Sequence, residues 1–247
     1  MSSTVPSRSP IRDPQAVPLV GVDSHLPAIP AGHLTPQALR ERLLDAHQRT
    51  PMVAGDGAGR GDLFADREPA AAAVLVPLVL RPDALHVLLT RRSDHLRDHA
   101  GQISFPGGRS EPEDADAVAT ALREAREEVG LDAAEVEVIG RLPVYTTVTR
   151  FIVTPVVALV QPDYRLTLDA SEVAEAFEVP LPFLMDPANH HRHHFEMAGQ
   201  SRQFLAMPWR RGAAESAAAP YFIWGATAAM LRNLYHLLDD SDAAKRG

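Results

Sequence analysis

Three glutamates, Glu124, Glu127 and Glu128, stand at i, i+3 and i+4 in the run EAREE. On a helix those offsets make the carboxylates near neighbours, and like charges so placed cost roughly 0.2–0.5 kcal/mol per pair in water. The cost grows where water is excluded. Two arrangements offset it. One is a solvated acidic face balanced by Arg123 and Arg126, although the helix angles send both arginines away from the centre of the cluster. The other is a cage of oxygen ligands for a hard divalent cation, Mg²⁺ or Mn²⁺.

A helix is needed to hold these groups, and the flanking residues predict one. Asp114 and Asp116 stand where side-chain oxygens cap a helix start, and Gly130 stands where a left-handed residue ends one. The predicted helix runs from about Ala115 to about Val129. Val118, Ala121, Leu122, Ala125 and Val129 form its apolar stripe, with the three glutamates beside it.

The run REAREEVGL, Arg123 to Leu131, resembles the second half of the Nudix hydrolase box, and paired glycines and an acidic loop precede it. Standard spacing back from it lands on Ala115 and Arg109. One extra residue restores the expected acid and glycine as Asp114 and Gly108. That expansion is similar to the coenzyme A pyrophosphatase branch, whose longer signature includes LLTRRSDHLRDHAGQISFPGG, Leu88 to Gly108. The joint resemblance spans more than forty residues.

The resemblance implies an α/β (α+β) fold, a Nudix-type α/β/α sandwich with a mixed β-sheet between helices. It implies a pyrophosphohydrolase, dependent on Mg²⁺ or Mn²⁺, that cleaves coenzyme A or acyl-coenzyme A to adenosine 3',5'-bisphosphate and a phosphopantetheine product. Glu124 and Glu128 become metal ligands, Glu127 a third ligand or an acid-base group, and Arg123 the residue that orients the glutamates. Arg91, Arg92, Arg97, His99, Phe105, Gly107 and Gly108 become the substrate-binding set. The guanidinium forks suit phosphate oxygens, and the glycines let backbone approach metal and pyrophosphate. Glu172 and Glu175, on a segment similar to one that follows the family's strands, are candidates for a further acid near the metal. Thr149-Arg150 stands where similar proteins often carry Ser-Gly. The same machinery acting on another nucleoside diphosphate derivative, such as ADP-ribose, NADH or an oxidised nucleotide, is one alternative. A non-catalytic Nudix module that senses a ligand is another.

Residues 1–33 scatter prolines among small residues and predict a mobile arm. A single domain over 34–240 and a frayed tail over 241–247 follow. Thr35-Pro36 predicts a helix through about Arg49. Ala72–Leu80 and Leu85–Thr90 predict a strand pair. Short strands are expected at Gln102–Phe105, Val136–Leu142 and Phe204–Trp209, with a longer one at Phe151–Val160. Thr227, Met230, Leu231, Leu234 and Leu238 predict a closing helix. The tract NHHRHH, His190 to His194 with an arginine inside, reads as a transition-metal tract or as a polar strand or turn.

The chain has 247 residues, 45% apolar and 23% charged, enough for a substantial core. A net charge of -8 argues against a general nucleic-acid binder. With no cysteine, disulfides and thiolate metal sites are excluded. No apolar run is long enough to span a bilayer. The expectation is a cytoplasmic protein acting on a small molecule, away from membranes and nucleic acid, and able to form a homodimer.

Overall fold

The computed structural model describes residues 11, 13–56, 68–96, 99–197, 200–212 and 220–239. Among them, the first elements in chain order are β1 (Leu19–Val22), α1 (Pro36–Leu43), β2 (Ala70–Leu80), β3 (Leu85–Arg92), β4 (Ile103–Ser104) and β5 (Gly107–Arg109). Next come α2 (Ala117–Val129), β6 (Val136–Arg141), β7 (Tyr145–Thr146), β8 (Phe151–Val160) and β9 (Val173–Pro180). The chain then forms α3 (Leu181–Leu184), β10 (His191–Met197), β11 (Gln200–Trp209), β12 (Tyr221–Trp224) and α4 (Gly225–Leu238).

The larger sheet grows from two apolar runs. β2 and β8 pair in parallel, from Ala70 opposite Phe151 to Val79 opposite Val160. Strands so rich in Val, Leu and Ala suit a sheet centre covered on both faces. The order is β4-β3-β2-β8-β6, with β5 also on β2, β7 on β8 and β9 on β3, which makes the sheet mixed. Pro77 falls between the stretch of β2 that pairs β5 (Ala72 to Val74) and the stretch that pairs β3 (Leu78 to Leu80). Its missing N–H therefore interrupts neither antiparallel ladder.

Alternation along β2 sorts the core into two layers. Ala73, Leu75 and Val79 face α2, whose Ala121, Ala125 and Val129 are buried against them. Val76 and Leu78 face the opposite layer, where Leu39 and Leu43 of α1 pack with Leu231, Leu234 and Tyr235 of α4. Helices on both faces of a mixed sheet match the expected sandwich. No helix among the described residues is long and apolar enough to cross a membrane.

A second sheet, antiparallel in the order β1-β10-β11-β12, completes that opposite layer. It changes the reading of two segments. Of the arm predicted over residues 1–33, the part from Asp13 onward is built into the fold, with β1 paired to β10. Asp23 follows β1, is 1% exposed, and accepts hydrogen bonds from Arg192. Arg232 of α4 adds an ion pair to it at 3.1 Å. The histidine tract is mostly β10. His190, fully buried just before it, donates from Nε2 to the Leu184 carbonyl (2.8 Å) and accepts at Nδ1 from Arg232 (2.7 Å). Burial, with Arg232 beside it, pushes the His190 imidazole down to about 4 despite its bond to Leu184. The predicted tail, 241–247, lies outside the described residues.

Candidate active site

The helix of the site starts two residues later than its sequence suggests, and the reason is a division of labour between two aspartates. Asp116 caps α2, accepting from the amides of Val118 and Ala119 at 2.9 Å each. Asp114 instead accepts Arg123 Nε at 3.0 Å and Nη2 at 2.9 Å, and the Thr120 hydroxyl at 2.9 Å. Gly130 closes the helix in the left-handed conformation, φ 71°.

Arg123 does not project away from the carboxylates. Its Nη1 lies 3.0 Å from Glu124 Oε1 and 2.9 Å from Glu127 Oε2, and Nη2 also donates to the Arg109 carbonyl at 3.0 Å. Helix angles describe where Cβ points, whereas a guanidinium on a long stem carries five N–H groups and can turn back along its own helix. The Arg123 bonds, with those from the Glu111 amide and Thr120, hold the Asp114 carboxyl well below the usual carboxylate range.

The three glutamates then differ. Glu128 is 6% exposed, with Oε2 accepting the Gly107 amide at 3.2 Å and Oε1 lying 3.8 Å from Arg92 Nη1. Burial pushes its carboxyl up to about 7; Gly107 and Arg92 oppose this, and the charges of Glu124 and Glu172 add to it. Burial also raises Glu124, against the pull of Arg123 and with the push of Glu127 and Glu172. The Glu127 side chain is 59% exposed and turned onto Arg123. Glu172, a candidate from sequence for a further acid, adds its negative charge to the field at both Glu124 and Glu128.

Both glycines are used. Gly107 has φ 155°, and a Cβ there would fall 2.4 Å from the Ala73 carbonyl oxygen. A Cβ on Gly108 would fall 2.6 Å from the Glu124 carboxyl carbon, so the bare backbone is what lets that carboxylate sit against β5.

These groups fit a divalent cation. Two desolvated carboxyls that repel each other favour a positive charge between them. Magnesium in particular is held by one or two carboxylates, with water and substrate phosphate supplying the rest. Among the described residues no three His, Asp or Glu side chains form a closed metal cage. Glu124 and Glu128 are the two desolvated carboxyls, while Glu127 is solvated and held beside Glu124 through Arg123.

The expected substrate set is divided. Along β3, Arg92 points to the α2 face and Arg91 to the other, where it meets Asp94 (3.3 Å) and Glu175 (3.6 Å). Glu175, considered as a further acid, faces that same far layer and accepts from the Tyr221 hydroxyl at 2.7 Å. His99 (φ 60°) and Gly101 (φ 68°) form a left-handed turn that returns the chain to β4, with His99 Nδ1 on Gln102 Oε1. Phe105 is 2% exposed in the larger core, which takes it out of the substrate contacts. Arg97 lies outside the described residues. Arg150, where similar proteins often have glycine, adopts φ 66°. Sequence reading passed over Thr120 and the Arg109 carbonyl. Thr120 left a trace, a hydroxyl on the buried side of α2; the carbonyl left none.

The NUDIX domain model matches residues 69–200, which carry β2 to β10 and, Tyr221 apart, the groups just described. The chain belongs to the Nudix family. This Nudix hydrolase is 43% identical over 163 residues to an uncharacterized Nudix hydrolase, NudL, of Escherichia coli (strain K12), covering 66% of this chain and 80% of that one. It is 42% identical over 172 residues to an uncharacterized NudL of Shigella flexneri, covering 68% and 84%. A solved Nudix hydrolase from M. smegmatis, RenU, is similar with a TM-score of 0.42 and 17% identity, over 68% of this chain and 84% of that one. Nudix hydrolases act on pyrophosphate bonds of small nucleotide-type molecules and generally need divalent metal ions.

Proposed function

We propose that this Nudix hydrolase cleaves coenzyme A or acyl-coenzyme A, with Mg²⁺ or Mn²⁺, to adenosine 3',5'-bisphosphate and (acyl-)phosphopantetheine. The observation that carries the reading is the bracketing of Glu128. Arg92 and Gly107, which approach its two oxygens, both belong to the segment Leu88 to Gly108 that resembles the coenzyme A branch.

Glu124 and Glu128 would hold the cation. When bound, it supplies neutralisation of pyrophosphate charge and activation of water. Glu127, solvated and tethered to Arg123, is the remaining carboxylate for a third ligand or an acid-base role. Arg123 orients all three acids it touches. Arg92 is placed to meet a phosphate oxygen with its fork; Arg97 and His99 stay in the proposed substrate-binding set, and Arg91 could join it only by leaving Asp94 and Glu175.

The test is turnover of coenzyme A, acetyl-coenzyme A, ADP-ribose, NADH and 8-oxo-dGTP with each cation, with products identified. Preferential release of adenosine 3',5'-bisphosphate supports the reading. Preference for another member keeps the metal helix and overturns the branch. Binding without turnover of any member makes the chain a ligand-sensing module.

A further inference from the structure

β9 starts at Val173, paired with Arg92 of the site, and runs away from it to Pro180. Among the described residues it pairs only with β3, so its other edge is in no ladder. Along that edge lies a cavity of about 410 Å³, walled by Leu88, Ala176, Phe177, Pro180, Trp209 and Tyr164. Its size falls within the usual range for small-ligand sites.

The wall is mostly apolar, and its charges answer one another. Glu178 accepts Arg81 Nε at 2.9 Å and the Tyr164 hydroxyl at 2.7 Å, and lies 3.4 Å from His86 Nδ1. Arg211 pairs with Glu175 at 3.5 Å and covers the Tyr221 ring. No full charge is left over to reward a phosphate. An uncharged chain with amide groups suits such a groove, because apolar atoms meet the wall while the amides meet the open edge of a strand. Leu88 lies four residues along β3 from Arg92, roughly 13 Å at the rise of a strand.

From this we infer that the arm of the substrate beyond the pyrophosphate, an amide-linked pantetheine chain, lies in the groove along the outer edge of β9. The inference rests on the coenzyme A reading for its occupant. The arm is roughly four residue lengths long, about 13–14 Å when extended, which carries it from Arg92 past Ala176, opposite Thr90, to the level of Leu88 and Glu178. Its thiol end then lies beside Phe177 and Trp209, and an acyl group carried on it extends toward Pro180, where acyl preference is set.

Ala176→Phe fills the groove from its floor. The Michaelis constant for coenzyme A should rise about tenfold, while inhibition by adenosine 3',5'-bisphosphate, which lacks the arm, keeps its constant. An unchanged Michaelis constant, or equal weakening of both, overturns the inference. The chain has two tryptophans, so Trp224→Phe leaves Trp209 as the only reporter in an otherwise native groove. Pantetheine alone should then shift its emission, and unmoved emission at millimolar pantetheine overturns the inference without reference to Ala176→Phe. If pantetheine shifts the emission but coenzyme A is not hydrolysed, the groove stands and the proposed reaction falls.

Discussion

Arg123 grips Asp114 with two prongs of its guanidinium, at 3.0 and 2.9 Å, and reaches Glu124 and Glu127 with the third nitrogen. One cation thereby fixes a loop acid and two helix acids relative to each other. A lysine ammonium is a point charge that cannot serve all of them in this geometry. Arg123→Lys should lower kcat/KM by about 10–100-fold, the usual cost of losing a partner that orients metal ligands. It should also raise the cation concentration needed for half-maximal rate. Wild-type kinetics in a cation titration would remove Arg123 from any positioning role.

The neighbouring glycines should fail in different ways. Gly107→Ala meets backbone, Ala73 O and the Val74 Cα, at a φ that side chains rarely adopt, so its expected defect is a lowered melting temperature. Gly108→Ala meets only the movable end of Glu124. It should fold, yet lose activity by about tenfold or more as that carboxylate is displaced. Equal melting temperatures for the two variants would contradict the assignment.

Glu128 ties charge to stability. Its folded carboxyl titrates at about 7 against an ordinary 4.5, so the folded state binds more protons than the unfolded state between those values. Stability is fully present below pH 4.5 and falls as pH rises through 7, by on the order of 3 kcal/mol. Glu128→Gln should remove that fall when urea melts are run with chelator present, and should also abolish turnover. A variant with the wild-type pH slope would show that burial does not set this carboxyl.

His190 works in the opposite direction. Its folded value of about 4 lies below the ordinary 6.5, so between them the unfolded state binds more protons. Stability is present above pH 6.5 and is lost as pH falls toward 4, again by on the order of 3 kcal/mol. Glutamine keeps both a donor and an acceptor, so His190→Gln should fold and lose this acid sensitivity in urea melts from pH 4 to 7. An unchanged acid slope would assign it to other groups. In the wild type the two slopes oppose each other, and only the variants separate them.

Local physics was legible in the sequence. The caps and stripe of α2, the hairpin of β2 and β3, and β8 all follow from periodicity and turn residues within a few positions. The split between Arg91 and Arg92 was also implicit, since neighbours on a strand face opposite ways. What could not be read are contacts that depend on distant segments or on where a long side chain ends. Arg123 returning to Glu124 is a rotamer, Phe105 pointing into the core depends on the bend at Pro106, and the second sheet needs residues 19–22 and 191–197 brought together. Arg192, one of the two arginines paired with Asp23, lies 169 residues away.

That separation has a consequence for assembly. During synthesis β1 leaves the ribosome long before β10 exists, and Asp23 must stay hydrated until Arg192 and Arg232 arrive. Closing so long a loop has an entropic cost that few contacts repay early. The small sheet thus carries the larger closure cost, and once Asp23 meets Arg192 and Arg232 it acts as a clasp between segments from opposite sides of the catalytic half in the sequence.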